Sequence, residues 1–473
     1  MKTNFNTYLL LIAFFFTGSK AFTQDTLWIS EENSPYYIMQ DLVIEDGGAF
    51  IISEGAKVFI ANDVSILCHA PVSIKGTADK PIEIKPINPG IGWQNIEITA
   101  SADIVNIEHA IIEDGLLLIT DCAVNFNHVD FINNQSSQWN SAISRFFGGS
   151  LVVNQCSITA DNNGEGFLCH DMEAPIFTNN IFTSIPDAIE MLNCENGIIR
   201  NCEFRQLNDD AIDLNNCRNI LIDSNFIHQV QDRGMEIGSE DFGSSTNIIL
   251  SRNVISECKE GITFKEGSTG LVENNTFYNN SVGVAAIEPK KQSLEGSHAI
   301  IRNCIFSQNT LAVFTDEYSS SSISYSLSDG VALEGEYNIT GDPGFRDAEL
   351  LDFSLLETSI CINAGDPAST HDPDGSRADI GAFHLSILGS TEVELAKLKS
   401  WPNPVKDRIS IALPPNITCE SFYLIGLSSK NKIHPIFKSD NKYEFDLSQF
   451  SSGIYFILCQ NSKANYTFKV VKL

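Results

Sequence analysis

The chain has 473 residues, 43% of them hydrophobic and 19% charged, which is the composition of a folded protein and excludes a disordered linker or acidic tail. Asp and Glu number 60 against 30 Lys and Arg, a formal charge of -30. Such a surface repels phosphate, so nucleic acid is the partner class it argues against. It leaves cation binding, sugar substrates or simple solubility open.

Residues 1–24 read as a secretory signal peptide: Lys2 at the start, an apolar run from Leu9 to Phe16, then Gly18, Ser19 and Ala21. No later stretch approaches the roughly 18 apolar residues of a membrane span, so no transmembrane segment is expected. Residues 25–100 alternate in short stretches such as Asp41-Leu-Val-Ile44, Ala49-Phe-Ile-Ile52, Lys57-Val-Phe-Ile60 and Val72-Ser-Ile74, broken by turns that contain Gly. They read as the opening coils of a solenoid.

From there a repeat carries the reading. A large apolar residue recurs at Ile111, Phe131, Ile158, Phe182, Phe204, Ile227, Ile255, Phe277 and Phe306, a mean period of about 24 residues. Asn precedes it by two positions at Asn180, Asn225, Asn253 and Asn275. Each period holds two or three alternating stretches separated by Asn, Asp, Gly and Ser, and helical periodicity is absent. Such a unit cannot bury its apolar side alone, but coiling stacks every Phe or Ile on the one below. The expected fold is all-β: a right-handed parallel β-helix over residues 25–385, followed by a small C-terminal β-sandwich. The recurring Asn would form an internal amide ladder. From Tyr36 to His384 some 14 coils would extend roughly 65 Å at a strand spacing of about 4.8 Å.

Twelve cysteines in an exported chain first suggest disulfides. Their phase favours free thiols used as small core residues: Cys156, Cys202 and Cys304 share one phase, Cys194 and Cys217 another. There is no CxxC pair for zinc. His109, His128, His170, His228 and His298 show no metal-ligand spacing, and serine nucleophile elbows and phosphate loops are missing.

Aligning the strand before the second turn produces a surface column. Leu168, Glu190, Asp213, Glu236, Thr263 and Ala285 should face outward, while Ile189, Ile212, Met235 and Ile262 face in. Three consecutive carboxylates therefore stack, and like charges about 5 Å apart repel by roughly 1 to 3 kcal/mol. Arg233 and Lys265, at neighbouring offsets, or a bound cation should relieve them. The candidate site is a carbohydrate-facing groove. Asp209, Asp210, Asp213, Arg233 and Lys265 are its candidate catalytic residues, with Glu190 and Glu236 as sugar ligands. Lys265 or Arg233 would serve as Brønsted base if the protein is a polysaccharide lyase.

The segments Asn208-Asp-Asp-Ala-Ile-Asp213, Gly234-Met-Glu-Ile-Gly238 and Gly261-Ile-Thr-Phe-Lys-Glu-Gly-Ser268 resemble the pectate-lyase-like right-handed β-helix superfamily, over about 270 residues at the level of pattern. Compared with polygalacturonase-like hydrolases, Asp187, Asp209 and Asp210 match the stacked aspartates. Arg233, however, replaces the expected Gly-flanked histidine and no Arg-Ile-Lys follows. Residues 341–385, with Gly341-Asp-Pro-Gly-Phe345, Asn363-Ala-Gly-Asp366 and Asp372-Pro-Asp-Gly-Ser-Arg-Ala-Asp379, look like the closing segment of exported β-helix proteins. Asp372, Asp374 and Asp379 either shape that segment or hold calcium, the one cofactor considered.

After a linker at 386–396, residues 397–473 carry Trp401-Pro-Asn-Pro-Val-Lys-Asp-Arg-Ile-Ser-Ile411 and Phe445-Asp-Leu-Ser-Gln-Phe-Ser-Ser-Gly-Ile-Tyr-Phe456. This resembles the C-terminal sorting domain of the type IX (Por) secretion system, with Trp401 where Tyr is usual. The resemblance implies the type IX machinery as a partner and a place outside, or on the outer-membrane surface of, a Gram-negative bacterium. The functional expectation is an exported β-helix protein associated with polysaccharide. The alternatives are a lyase acting on a uronic-acid polymer or, less favoured, a polygalacturonase-like hydrolase.

Overall fold

Aliphatic residues at every second position, interrupted by turn formers, give strands mostly of three to six residues that bury one face and expose the other. A computed structural model describes residues 22–99, 105–133, 144–160, 166–239, 243–288 and 296–385, and in the C-terminal part 399–401, 405–413, 421–425, 430–439, 442–450, 453–460 and 465–472. Contacts divide the chain into two units, Met1–Leu385 and Ser386–Leu473. The expected signal peptide falls mostly on residues outside the described ones. Of its span, Phe22, Thr23 and Gln24 already pair with Leu42, Val43 and Ile44 in the first strand. The expected linker also lies outside the described residues.

The first unit is a right-handed parallel β-helix. One coil consists of strands Ile189–Leu192, Ile198–Arg200 and Glu203–Leu207; the next repeats them as Ile212–Asn215, Leu221–Asp223 and Phe226–Val230. Each strand pairs with its equivalents directly before and after it. About 12 coils result, not 14, because residues 341–385 are not wound. That segment packs on the outer flank of the last coils: Ala382 N–H donates to Thr276 Oγ1 at 3.0 Å, Asn274 donates to the Asp379 carbonyl at 2.9 Å, and Phe353 meets Tyr278 with ring centroids 5.1 Å apart.

The interior follows the repeat. Phe131, Ile158, Phe182, Phe204, Ile227, Ile255, Phe277 and Phe306 occupy one register position on consecutive coils and are essentially sealed from solvent. Phe182 stacks on Phe204, and Phe277 on Phe306, each pair with centroids 4.9 Å apart and planes at 5°. The first member is off by one: Ile112, not Ile111, pairs with Phe131. The Ile-Ile doublet offered two candidates, and only the second is fully buried.

Asn180, Asn225, Asn253 and Asn275 are buried and form the expected ladder. The Oδ1 of each accepts a backbone N–H from the coil before it, at 2.8–2.9 Å. Asn253 Nδ2 also donates to Asn275 Oδ1 at 3.0 Å. Turn residues such as Asn193, Asn196, Asn216 and Asn219 adopt positive φ between 52° and 58°, a conformation Asn tolerates better than most side chains. The ten cysteines from Cys68 to Cys361 are buried, and this structure holds them with reduced thiols.

The second unit holds two four-stranded antiparallel sheets. Their shared core includes Val405, Ile409, Ile411, Phe422, Leu424, Tyr443, Phe445 and Ile457, the small sandwich that the alternation predicts.

Candidate functional site

The register places Leu168, Glu190, Asp213, Glu236, Thr263 and Ala285 in one column, as the repeat predicts. Ile189, Ile212, Met235 and Ile262, one position earlier, are buried in the core. The column itself sinks as it rises: Glu190 and Asp213 are half-buried, whereas Glu236, Thr263 and Ala285 are buried.

A second column runs along the turn that leads into these strands: Asp187, Asp210, Arg233 and Glu260. It is built by side chains capping the backbone of the next coil. Asp210 N–H donates to Asp187 Oδ1 at 2.8 Å, and Arg233 N–H donates to Asp210 Oδ1 at 2.8 Å. The Arg233 guanidinium then gathers the carboxylates. It lies 2.7 Å from Glu236, 2.8 Å from Asp232, 3.2 Å from Glu260 and 3.6 Å from Asp210. Lys265 Nζ lies 2.6 Å from Glu236 Oε2, and Lys259 Nζ lies 2.6 Å from Asp232 Oδ1. The structure thus brings Arg233 and Lys265 onto the same carboxylate, the relief that stacked charges require.

Burial and crowding by like charge act on the aspartates. Burial first, and then Glu236, push the Asp210 carboxyl from 3.8 up to about 8. Asp213 is driven well above the usual carboxylate range by burial and then by Glu236. Asp209 is raised by partial burial and by Asp232. Burial alone would weaken the Arg233 cation, but Glu236, Asp210, Asp232 and Glu260 outweigh it and raise its pKa. Asp213 Oδ2 accepts from Asn215 Nδ2 at 2.9 Å, while Asp213 Oδ1 and Asn215 Oδ1 are buried without a hydrogen-bond donor among the described residues.

Beside the carboxylates runs a groove of about 410 Å³ whose walls include Gln206, Asn208, Gln229, Gln231 and Glu257. Gln231 donates to Asn208 at 2.7 Å, and Gln229 to Glu257 at 3.1 Å. A larger hollow of about 780 Å³ sits at the last coil, lined by residues between Phe306 and Glu336. It contains none of the predicted site residues.

Among the described residues, the carboxylates that cluster closely enough for one ion are Asp187, Asp209 and Asp210, each offering one oxygen within 4.8 Å of the others. The other predicted trio is engaged differently. Asp372 accepts the Asp379 N–H at 3.0 Å, Asp374 accepts the Ser376 N–H at 2.9 Å, and Asp379 accepts the Asn363 N–H at 2.7 Å and the Leu385 N–H at 2.6 Å. Their oxygens shape the closing segment's turns.

Asp232, Glu260, Lys259, Asn215 and the glutamine pair went unnoticed in the sequence. The signal was available, since Asp187, Asp210 and Arg233 recur at 23-residue steps as Glu190, Asp213 and Glu236 do.

The family described as the right handed beta helix region matches residues 114–246 and 187–341, and the secretion system C-terminal sorting domain matches residues 399–473. The chain is a right-handed β-helix protein with a type IX sorting domain. That domain directs the β-helix protein out of a Gram-negative cell, to its surface or the medium, through the type IX machinery. Among the described residues no helix is long and apolar enough to cross a membrane.

No curated protein matches the chain. Solved structures similar to the β-helix protein include a mutant of the periplasmic alginate epimerase AlgG, at 11% identity over 66% of this chain and 83% of that one, with a TM-score of 0.49. The hyperthermoactive exopolygalacturonase of Thermotoga maritima has 10% identity over 63% and 85%, TM-score 0.36. A mannuronic acid specific polysaccharide family 6 lyase from human gut microbiota has 10% identity over 71% and 88%, TM-score 0.35. Nothing about chemistry follows from similarities this remote.

Proposed function

We propose that the exported β-helix binds polysaccharide along the groove between Gln206 and Lys265, recognising neutral or amino sugars and leaving the chain uncut. The observation that carries this reading is the amide-lined groove itself, whose Asn208 and Gln231 are the chain neighbours of Asp209 and Asp232. Asn208, Gln229 and Gln231 supply donors and acceptors beside Asp209 and Asp232, repeated at the coil spacing of about 4.8 Å. Sugar hydroxyls are satisfied by such alternating partners.

The same geometry speaks against a lyase. Elimination needs a base with a free lone pair, and Lys265 Nζ is engaged by Glu236 Oε2 at 2.6 Å. Arg233 is likewise surrounded by carboxylates. A uronate would meet Asp187, Glu190, Asp209, Asp232, Glu236 and Glu260 with Arg233, Lys259 and Lys265 already engaged.

Screening the secreted protein on a glycan array tests the reading. Binding to neutral or amino-sugar polymers is expected, weakened about tenfold by Gln229→Ala combined with Asp209→Asn, the loss of one or two hydrogen bonds. Release of unsaturated product from a uronate polymer, abolished by Lys265→Ala, would overturn it in favour of the lyase.

One observation favours a second reading, a glycoside hydrolase. Asp187, Asp209 and Asp210 converge within 4.8 Å, and Asp210, raised to about 8, keeps its proton at neutral pH as a general acid must. A reducing-sugar assay on the same polymers, lost in Asp210→Asn, would support it. The three aspartates also present the hard oxygens that calcium prefers, so the assays are run with and without EDTA.

A further inference from the structure

Cys194 and Cys217 follow the strands Ile189–Leu192 and Ile212–Asn215 at the same offset and face the coil interior, 0% and 2% exposed. Parallel bridges from Glu173 to Glu195 and from Glu195 to Arg218 hold the two turns in register, and Arg218 N–H donates to the Cys194 carbonyl at 3.0 Å. Adjacent rungs set the two Cα atoms about 4.8 Å apart, inside the roughly 4.4–6.8 Å that a disulfide spans. Cys217 Sγ leans toward the lower coil, 3.3 Å from the Met191 carbonyl. The rungs on either side of the pair carry Met172 and Ser245, so neither thiol has a competing cysteine next to it in the column.

We propose that Cys194 and Cys217 are joined by a disulfide in the exported protein, tying two coils together at the far end of the strands that carry Glu190 and Asp213. The sorting domain places the chain where thiols meet oxidants. Cys194 Sγ in turn lies 3.4 Å from the Cys169 carbonyl, one coil lower, and the nearness of the two thiols lowers the pKa of Cys194 while raising that of Cys217.

The oxidant is a disulfide-bearing exchange partner outside the cytoplasm. The Cys194 sulfur, its proton lost to water, attacks one oxidant sulfur and displaces the other as a thiol. Cys217 then loses its proton and attacks Cys194 in the mixed disulfide, releasing the second thiol. Two electrons pass to the oxidant, which ends as two thiols. The exchange takes place before the coil closes over the sulfurs.

Secreted protein is denatured without reductant, alkylated with one reagent, then reduced and alkylated with a second. The second label is expected on Cys194 and Cys217 alone, with a non-reduced peptide linking them. The first label on both residues, or a bond from either to another cysteine, would overturn the proposal. In Cys217→Ser, Cys194 should take the first label. Reductant should lower the melting temperature of the parent but not of this variant, and an equal drop in both would count against the bond.

Discussion

At Arg233 one side chain balances four carboxylates, Asp210, Asp232, Glu236 and Glu260, while itself mostly buried. Arg233→Met should cost about 3–5 kcal/mol in urea denaturation, because it strands buried like charges. Asp210 makes the same point through pH. Its carboxyl is held at about 8 in the fold against an ordinary 3.8. Between those values the folded chain keeps a proton that the unfolded chain has lost, so stability falls as pH rises through this window. Asp210→Asn should flatten that fall, raising the melting temperature at pH near 8 and leaving it little changed near pH 4. An equally steep fall in the variant would show that another group titrates. At this scale the sequence disclosed Arg233 and Lys265 as neighbours of the stack, because a fixed period converts spacing into adjacency. It did not disclose Asp232 or Glu260 as their partners, because which carboxylate a long flexible side chain reaches depends on rotamers and not on phase.

The coil is the next scale, and it was the most legible. Phe182, Phe204 and Ile227 fell on consecutive rungs as the period requires, since a one-residue slip would turn every buried side chain outward. Where two isoleucines stand side by side the pattern is degenerate: it points to Ile111, and Ile112 holds the position. Phe204→Ala should destabilise by about 3–5 kcal/mol, read from thermal melts. It removes a ring stacked 4.9 Å from Phe182. Asn253→Ala should cost about 1–3 kcal/mol for each partner left unsatisfied. Asn253 accepts from the Asn225 N–H at 2.9 Å and donates to the Ile222 carbonyl at 3.0 Å. An Asn253→Ala protein as stable as the parent would reduce the ladder to decoration.

For the whole molecule, export rests on the second unit, and the binding we propose rests on the first. Removing residues 399–473 should leave the parallel β-helix folded yet keep it inside the cell envelope, as fractionation and immunoblotting would show. Full secretion of the truncated chain would mean that another signal directs it. In sequence the sorting-domain likeness rests on the Pro-Asn-Pro start after Trp401 and the alternation that follows it. The placement of residues 341–385 was not readable, since its apolar residues dock on a flank whose outward Val254, Tyr278 and Ile305 lie beyond any local pattern.

Strands Ile189–Leu192 and Ile212–Asn215 pair only with the rungs immediately above and below them. Growth by tandem duplication is therefore structurally cheap here: a copy of residues 189–211 spliced ahead of Ile212 would add one storey of about 4.8 Å without asking any distant residue to adjust. A longer or shorter stack of storeys would change the length of the wall and leave the architecture the same.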